Sequence, residues 1–247
     1  MKNSVLCFLV LILILGCKDD GQLAFEPLEF TSEKCADCPE ITISIPKALP
    51  KDALSEAINT AVREEVISML DYDDTLEAST ITEAMQSFKN GYLDIKQHFQ
   101  DEAIGWEAII EGKVTYEDPH LITLQINTYT FTGGAHGFSS IRFLNFDKKK
   151  AVELDNTQLF SNQEALALYA ERQFRKQEQI PETDSINATG FMFYGDSFYL
   201  PDTIGLTTEG LEMIYAPYEI ASYADGPIRL ILPFKEVQPY LNYELGS

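Results

Sequence analysis

Apolar residues recur along this chain of 247 residues with two different periods. Ile41-Thr42-Ile43-Ser44-Ile45 alternates strictly, the pattern of a strand with one buried face. Pro46 is expected to end it, because proline cannot donate to a strand ladder. From Pro50 the period lengthens. Leu54, Ile58, Val62, Val66 and Leu70 recur every four residues, with Glu65 beside them, and predict an amphipathic helix over 50–70. A polar break, Asp71-Tyr72-Asp73-Asp74, separates it from a second helix. Thr80 and Glu83 have capping-box spacing at its start. Its apolar stripe is Ala84, Phe88, Tyr92, Ile95 and Phe99, with His98 beside the stripe at the surface or its boundary.

Strand-like pieces dominate afterwards. Residues 23–33 are already extended in character, with Phe25, Leu28 and Phe30. Gly105 to Tyr116 carries Trp106, Ala108, Ile110 and Val114, and Glu117-Asp118-Pro119 is a turn signal. Leu121 to Phe131 is the clearest strand. Ile122, Leu124, Ile126, Thr128 and Thr130 share one face; Leu121, Thr123, Gln125, Asn127, Tyr129 and Phe131 share the other. Phe138 to Phe146 follows as its hairpin or broadly connected partner, then a short extended piece at 151–154. Ser161 and Glu164 predict another capped helix, running to about Gln179 with Ala165, Leu168, Tyr169 and Phe174 inward. Residues 182–197 are turn-rich. Short strands are expected at 198–200, 205–206, 210–215 and 228–232, and a short helix or turn at 233–241. These elements predict an α+β fold of antiparallel sheets with helices packed on their faces.

The first residues follow neither pattern. Lys2 precedes an almost unbroken apolar run from Val5 to Leu15, closed by Gly16-Cys17 and Lys18-Asp19-Asp20. About eleven residues are too few to span a bilayer as a lasting helix and fit a secretory signal. Ile14-Leu15-Gly16-Cys17 resembles a lipobox, in which cleavage before Cys17 leaves it as a lipidated first residue. Leu15 fits that pattern loosely, and an ordinary signal peptide with a chance cysteine is the plainer alternative. Cys17-Lys18-Asp19-Asp20 is also similar to the export signal of surface lipoproteins in Bacteroidetes-type bacteria. The expectation is an outer-membrane lipoprotein, periplasmic or surface-exposed, that touches the membrane only through its acyl (palmitate-type) anchor. Each buried CH₂ of such an anchor contributes about 0.8 kcal/mol.

Charge narrows the partners. The chain has 18 basic and 39 acidic residues, a net −21. Loss of residues 1–16 removes only Lys2, leaving 17 against 39, or −22. Such a chain repels nucleic-acid phosphates and steers cationic partners toward itself; plain solubility is the bland alternative. Of the four cysteines, Cys7 leaves with the signal and Cys17 carries lipid, which leaves Cys35-Ala36-Asp37-Cys38. A zinc site needs a second pair, and a redox pair should open a helix, whereas Pro39 and a strand follow here. A structural disulfide is favoured, with a reduced pair and a redox or metal role as alternatives.

Candidate chemistry centres on Thr132-Gly133-Gly134-Ala135-His136, where glycines interrupt a strand-like stretch beside one of only three histidines. Glycine permits positive φ or close backbone approach. The segment is thus a structural loop, a ligand-contacting loop or, least of all, a catalytic one. His136 could recruit distant carboxylates such as Asp147 or Glu219 for a metal or hydrolytic site, but no His-Glu-x-x-His spacing supports this. Tyr218 and Glu219, after the Ala216-Pro217 corner, are weighed in the same way. No metal and no cofactor are expected.

Tyr129 to Gly137, Asn145-Phe146-Asp147, Glu153-Leu154, Leu159-Phe160 and the later run Gly210 to Pro227, with its Tyr215-Ala216-Pro217-Tyr218-Glu219 corner, together resemble the extracellular domain of RsiV-type anti-sigma factors. Residues 22–100 are similar to the domain that precedes it there and in the N-terminal part of the peptidoglycan deacetylase PdaC. The resemblance implies two α+β domains, at 23–104 and 105–247, after a signal peptide at 1–16 and a lipidated tether at 17–22. It implies a non-catalytic binding or sensing module, whose partner would be a cationic protein such as lysozyme or a peptidoglycan fragment. The sigma-binding segment, the membrane-spanning helix and the catalytic deacetylase domain of those relatives have no counterpart here, so recognition alone is expected to carry over. The alternative is a cell-wall hydrolase or deacetylase-like enzyme using His136 with nearby carboxylates.

Overall fold

The structure, a computed structural model, describes residues 22–35, 38–73, 75–99 and 105–246. The expected signal segment and Cys17 lie outside the described residues. Eight elements build the first unit: β1 (Ala24–Thr31), β2 (Glu40–Leu49), α1 (Ala53–Leu70), α2 (Ile81–His98), β3 (Glu107–Glu117), β4 (Leu121–Phe131), β5 (Phe138–Asp147) and β6 (Val152–Leu154). The strands form one sheet in the order β1-β2-β3-β4-β5-β6. Neighbours are antiparallel except β2 and β3, which run parallel from Glu40 opposite Glu107 to Ser44 opposite Glu111. A parallel pair needs a long crossover, and α1 and α2 supply it.

That pairing spans the expected division at 104/105. The boundary would cut a hydrogen-bonded sheet and a single core that runs from Ile41 to Phe146. Nor does Pro46 end its strand. β2 continues to Leu49, with Pro46 directly opposite Pro27 of β1. Pairing to β3 stops at Ser44, so the missing N–H of Pro46 breaks no ladder on that side.

One face of the sheet packs on the helix pair. Asp52 caps α1 by accepting from Ser55 N, and Thr80 and Glu83 form the full capping box of α2. Ile58, Val62, Val66 and Leu70 of α1, with Ala84 and Phe88 of α2, meet Ile122, Leu124 and Ile126 of β4 in the core. Each such apolar side chain contributes about 1.5–3 kcal/mol on burial. Phe88 lies 5.2 Å from the Trp106 ring and 5.1 Å from Tyr72. The α2 stripe is shorter than expected. Tyr92, against Trp106 at 6.0 Å, is its last buried residue, and Ile95 and Phe99 face solvent.

The remaining elements are α3 (Asn156–Leu159), α4 (Gln163–Gln177), β7 (Thr203–Leu206), β8 (Leu211–Tyr215), β9 (Ile228–Leu232) and α5 (Phe234–Val237). β7, β8 and β9 make a second, antiparallel sheet. One face of it, with Leu206, Met213, Tyr215 and Leu230, shares a core with Leu166, Ala170 and Phe174 of α4. Its other face lies on the first sheet. Gly205 makes that approach possible, because a Cβ there would sit 2.1 Å from Phe143 Cγ. Asn145 Nδ2 donates to Ile204 O at 2.9 Å and Thr115 Oγ1 to Leu206 O at 2.7 Å, tying the sheets together. The molecule is therefore layered: helix pair, large sheet, small sheet, α4.

Three sequence expectations fail in this half. Asn162 rather than Ser161 caps α4, accepting from Ala165 N. The buried face is Leu166, Ala170 and Phe174, while Leu168 is exposed. Residues 198–200 are irregular rather than a strand. Among the described residues no helix is long and apolar enough to cross a membrane.

Candidate functional site

β4 and β5 pair as a hairpin up to Thr130 opposite Phe138, and residues 132–137 close it. The glycines in this loop do different things. Gly133 and Gly134 have φ of +99° and +88°, with open space around them. They are glycine because L side chains are strained there. Gly137 is needed for contact instead: a Cβ would lie 2.4–2.6 Å from Cε2, Cζ and Oη of the Tyr129 ring.

His136 is exposed, and its ring stacks on Tyr223 at 3.9 Å with 20° between the planes. Tyr223 in turn lies 5.4 Å from Tyr218. Tyr223 Oη donates to Gly137 O at 2.7 Å, and His136 Nδ1 lies 3.0 Å from the same carbonyl. Two segments about eighty residues apart are thus joined at one carbonyl. Tyr218 itself has φ of +70° and a ring that is 61% exposed. A bulky residue in the left-handed region is strained, and this one carries an exposed aromatic ring.

The corner behind Tyr218 is closed by Glu219, whose Oε2 accepts from Ala216 N at 2.8 Å. Burial pushes the Glu219 carboxyl above its ordinary value, the Ala216 N–H opposes this, and Asp202 adds to it. Tyr215 donates to Tyr199 O at 2.6 Å, and burial pushes its hydroxyl far up, so it remains a neutral donor. The turn that carries Tyr223 is fixed by Asp225, which accepts from Ser222 N and Oγ, and by Gly226 at φ +68°.

The structure therefore brings His136, Tyr218 and the Gly133–Gly134 turn into one surface region. It does not bring His136 to either expected carboxylate. Asp147 accepts from the amides of Lys149 and Lys150, from Tyr243 Oη and from Lys150 Nζ. Burial pushes its carboxyl up, but these donors outweigh that and hold it below the ordinary carboxylate value. Glu219 is turned to Ala216. Among the described residues no group of three or more His, Cys, Asp and Glu side chains could hold a metal ion. Thr132 and Ala135 take no part in the ring contacts. Cys35 and Cys38 are joined in a disulfide with Cα atoms 5.4 Å apart, before β2 and in the other half of the chain. Sequence reasoning missed the roles of Tyr223 and Tyr129. The run of tyrosines in the second motif was visible, but nothing local says which one meets the loop.

Residues 32–139 match the family model described as deacetylase PdaC. Residues 157–235 match that of a protein family of unknown function, DUF3298. A PdaC-like segment thus precedes a DUF3298-like one. The PdaC-like segment runs through β4 to the first residues of β5, across the expected boundary, and includes His136; the DUF3298 segment includes Tyr218 and Tyr223. The ring stack thus joins the two matched segments. The fold is shared with a DUF3298 family member from Bacteroides fragilis NCTC 9343, at TM-score 0.73 and 20% identity, over 92% of this chain and 96% of that one. It is also shared with a DUF3298 family protein from Pseudomonas aeruginosa PAO1, at TM-score 0.65 and 20% identity, over 92% and 99%. No curated protein matches the chain.

Proposed function

We propose that this protein is a non-catalytic binding or sensing module of the cell envelope, held at the outer membrane by lipidated Cys17. Its partner surface is the ring group of exposed His136 and Tyr218 with half-buried Tyr223 between them. The observation that carries this reading is the joining of two distant segments into one aromatic surface, with exposed Tyr218 on a strained backbone. Rigid aromatic rings of this kind supply most of the energy in many protein interfaces. The partner that fits is a cationic protein of the lysozyme type. The net charge of −21 favours it, and so does the likeness to RsiV-type ectodomains.

Calorimetry against lysozymes and muropeptides at about 0.15 M salt tests the reading, since that salt screens non-specific attraction beyond about 8 Å. Saturable binding of lysozyme with fixed stoichiometry, weakened by Tyr218→Ala, supports it. No saturable heat with either ligand class sinks it. A second reading, a deacetylase-like hydrolase, is favoured only by the description of the family matched at 32–139, a segment that includes His136. It requires turnover of peptidoglycan fragments that His136→Ala abolishes with the fold intact.

A further inference from the structure

The interface between the two sheets is not apolar throughout. Along one face of β4, Leu121 enters the second core and Thr123 donates to Asn145. Gln125 and Asn127, next on that face, look into a gap instead. Across it, β8 presents Glu212 and β9 presents Arg229, which pair with each other. Lys113 of β3 and Thr208 of the β7–β8 turn complete the walls. The cleft is open to solvent and has a volume of about 640 Å³, within the range of small-molecule sites.

Sheets that merely pack bury interdigitated apolar side chains. Here Gln125 is 5% exposed and Glu212 6% exposed, and both line the cleft. Gln125 Nε2 donates to Asn127 Oδ1 at 2.9 Å. That leaves Gln125 Oε1 as an acceptor and Asn127 Nδ2 as a donor with no protein partner among the described residues. Neither group is sealed from solvent, so both are open to whatever occupies the cleft, water or a ligand. The charges in the lining cancel formally, with Lys113 and Arg229 against Glu209 and Glu212, which suits neither an anion nor a cation.

We infer that this cleft binds a neutral oligosaccharide. A sugar hydroxyl both donates and accepts, matching the free amide acceptor and donor, while the Glu212 carboxylate and Arg229 guanidinium offer further bonds. The site shares no residue with the aromatic surface and stands or falls without it.

The test uses the full chain in detergent micelles, titrated with chitotetraose and with maltotetraose and followed by saturation-transfer NMR. Saturable binding of at least one sugar is expected. Asn127→Ala and the surface variant Lys113→Ala should each raise Kd about tenfold, the scale of one well-made hydrogen bond. Tyr218→Ala should leave sugar binding unchanged. No saturable signal with either sugar up to about 10 mM, a concentration that would reveal even very weak binding, overturns the inference. So does sugar binding that neither cleft variant alters while circular dichroism shows both folded. Lysozyme binding without sugar binding would overturn this cleft and leave the aromatic surface standing.

Discussion

Gly137→Ala should damage this protein more than its small size suggests. The added Cβ would lie 2.4 Å from Tyr129 Cε2 and 2.5 Å from Cζ. Carbon atoms in contact sit about 3.5–4.0 Å apart, so ring or loop must move by more than about 1 Å. Overpacking of this kind costs about 1–3 kcal/mol. The same movement disturbs the Gly137 carbonyl that accepts from Tyr223 Oη at 2.7 Å, a bond worth about 1 kcal/mol. A combined loss of about 2–4 kcal/mol lowers Tm by about 4–16 °C in a chain of this size.

Thermal melts followed by circular dichroism read the loss, and a double-mutant cycle assigns it. Tyr129→Ala destabilises by itself but removes the obstructing ring. In that background Gly137→Ala should cost less than about 0.5 kcal/mol beyond the single variant, a strong departure from additivity. Gly133→Ala is the control. It meets no atom within 4 Å but has φ of +99°, so its cost is backbone strain of about 1 kcal/mol, which Tyr129→Ala cannot relieve. A Tm for Gly137→Ala within about 1 °C of wild type would refute the contact argument. So would an equal loss in both backgrounds.

Tyr218→Gly should keep or slightly raise Tm, because it relieves about 1 kcal/mol of left-handed strain at a ring that is already 61% exposed. It should at the same time weaken lysozyme binding about tenfold or more; unchanged affinity would remove Tyr218 from the surface. Burial holds the Glu65 and Glu153 carboxyls above their ordinary value of 4.5, while Arg142, 3.1 Å from Glu65, opposes the shift. A raised carboxyl makes the folded state bind more protons, so its destabilising effect grows as pH rises through and above 4.5. Arg142→Gln should therefore cost little near pH 4 and most near pH 7 in denaturant melts; a loss independent of pH would contradict this. Phe88→Ala, which removes a fully buried ring packed on Tyr72 and Trp106, should cost about 3–5 kcal/mol; a loss below about 1 kcal/mol would mean the site refills.

Local chemistry explains which elements could be read in advance. β4 spans Leu121–Phe131 as its alternation predicts, because a turn fixes its start. Asp118 accepts from both His120 N and Leu121 N at 2.7 Å. α2 begins at Ile81 because its cap lies within its own sequence. α4 was harder. Its surface carries apolar residues on more than one side, and Leu168 lost the core to Leu166 and Ala170 only because α4 meets β8 and β9 from that direction. The parallel pairing of β2 with β3 was beyond reading for a similar reason. Periodicity shows that Ile41–Ile45 has a buried face, not that its neighbour begins at Glu107.

The glycine loop carries the same lesson into the site. Composition shows three glycines but not that two serve φ and one serves contact. That difference is set by the Tyr129 ring, which alternation places on the same side of β4 as the loop's return path. The partner of His136 is decided still further away, by a 3₁₀ turn at Tyr223–Asp225 whose position depends on β8 and β9. One carbonyl, that of Gly137, meets both Tyr223 Oη and His136 Nδ1, and the two rings stack on each other. A variant in either segment is therefore expected to be felt in both, as Tyr223→Phe would show by lowering the stability cost of Gly137→Ala.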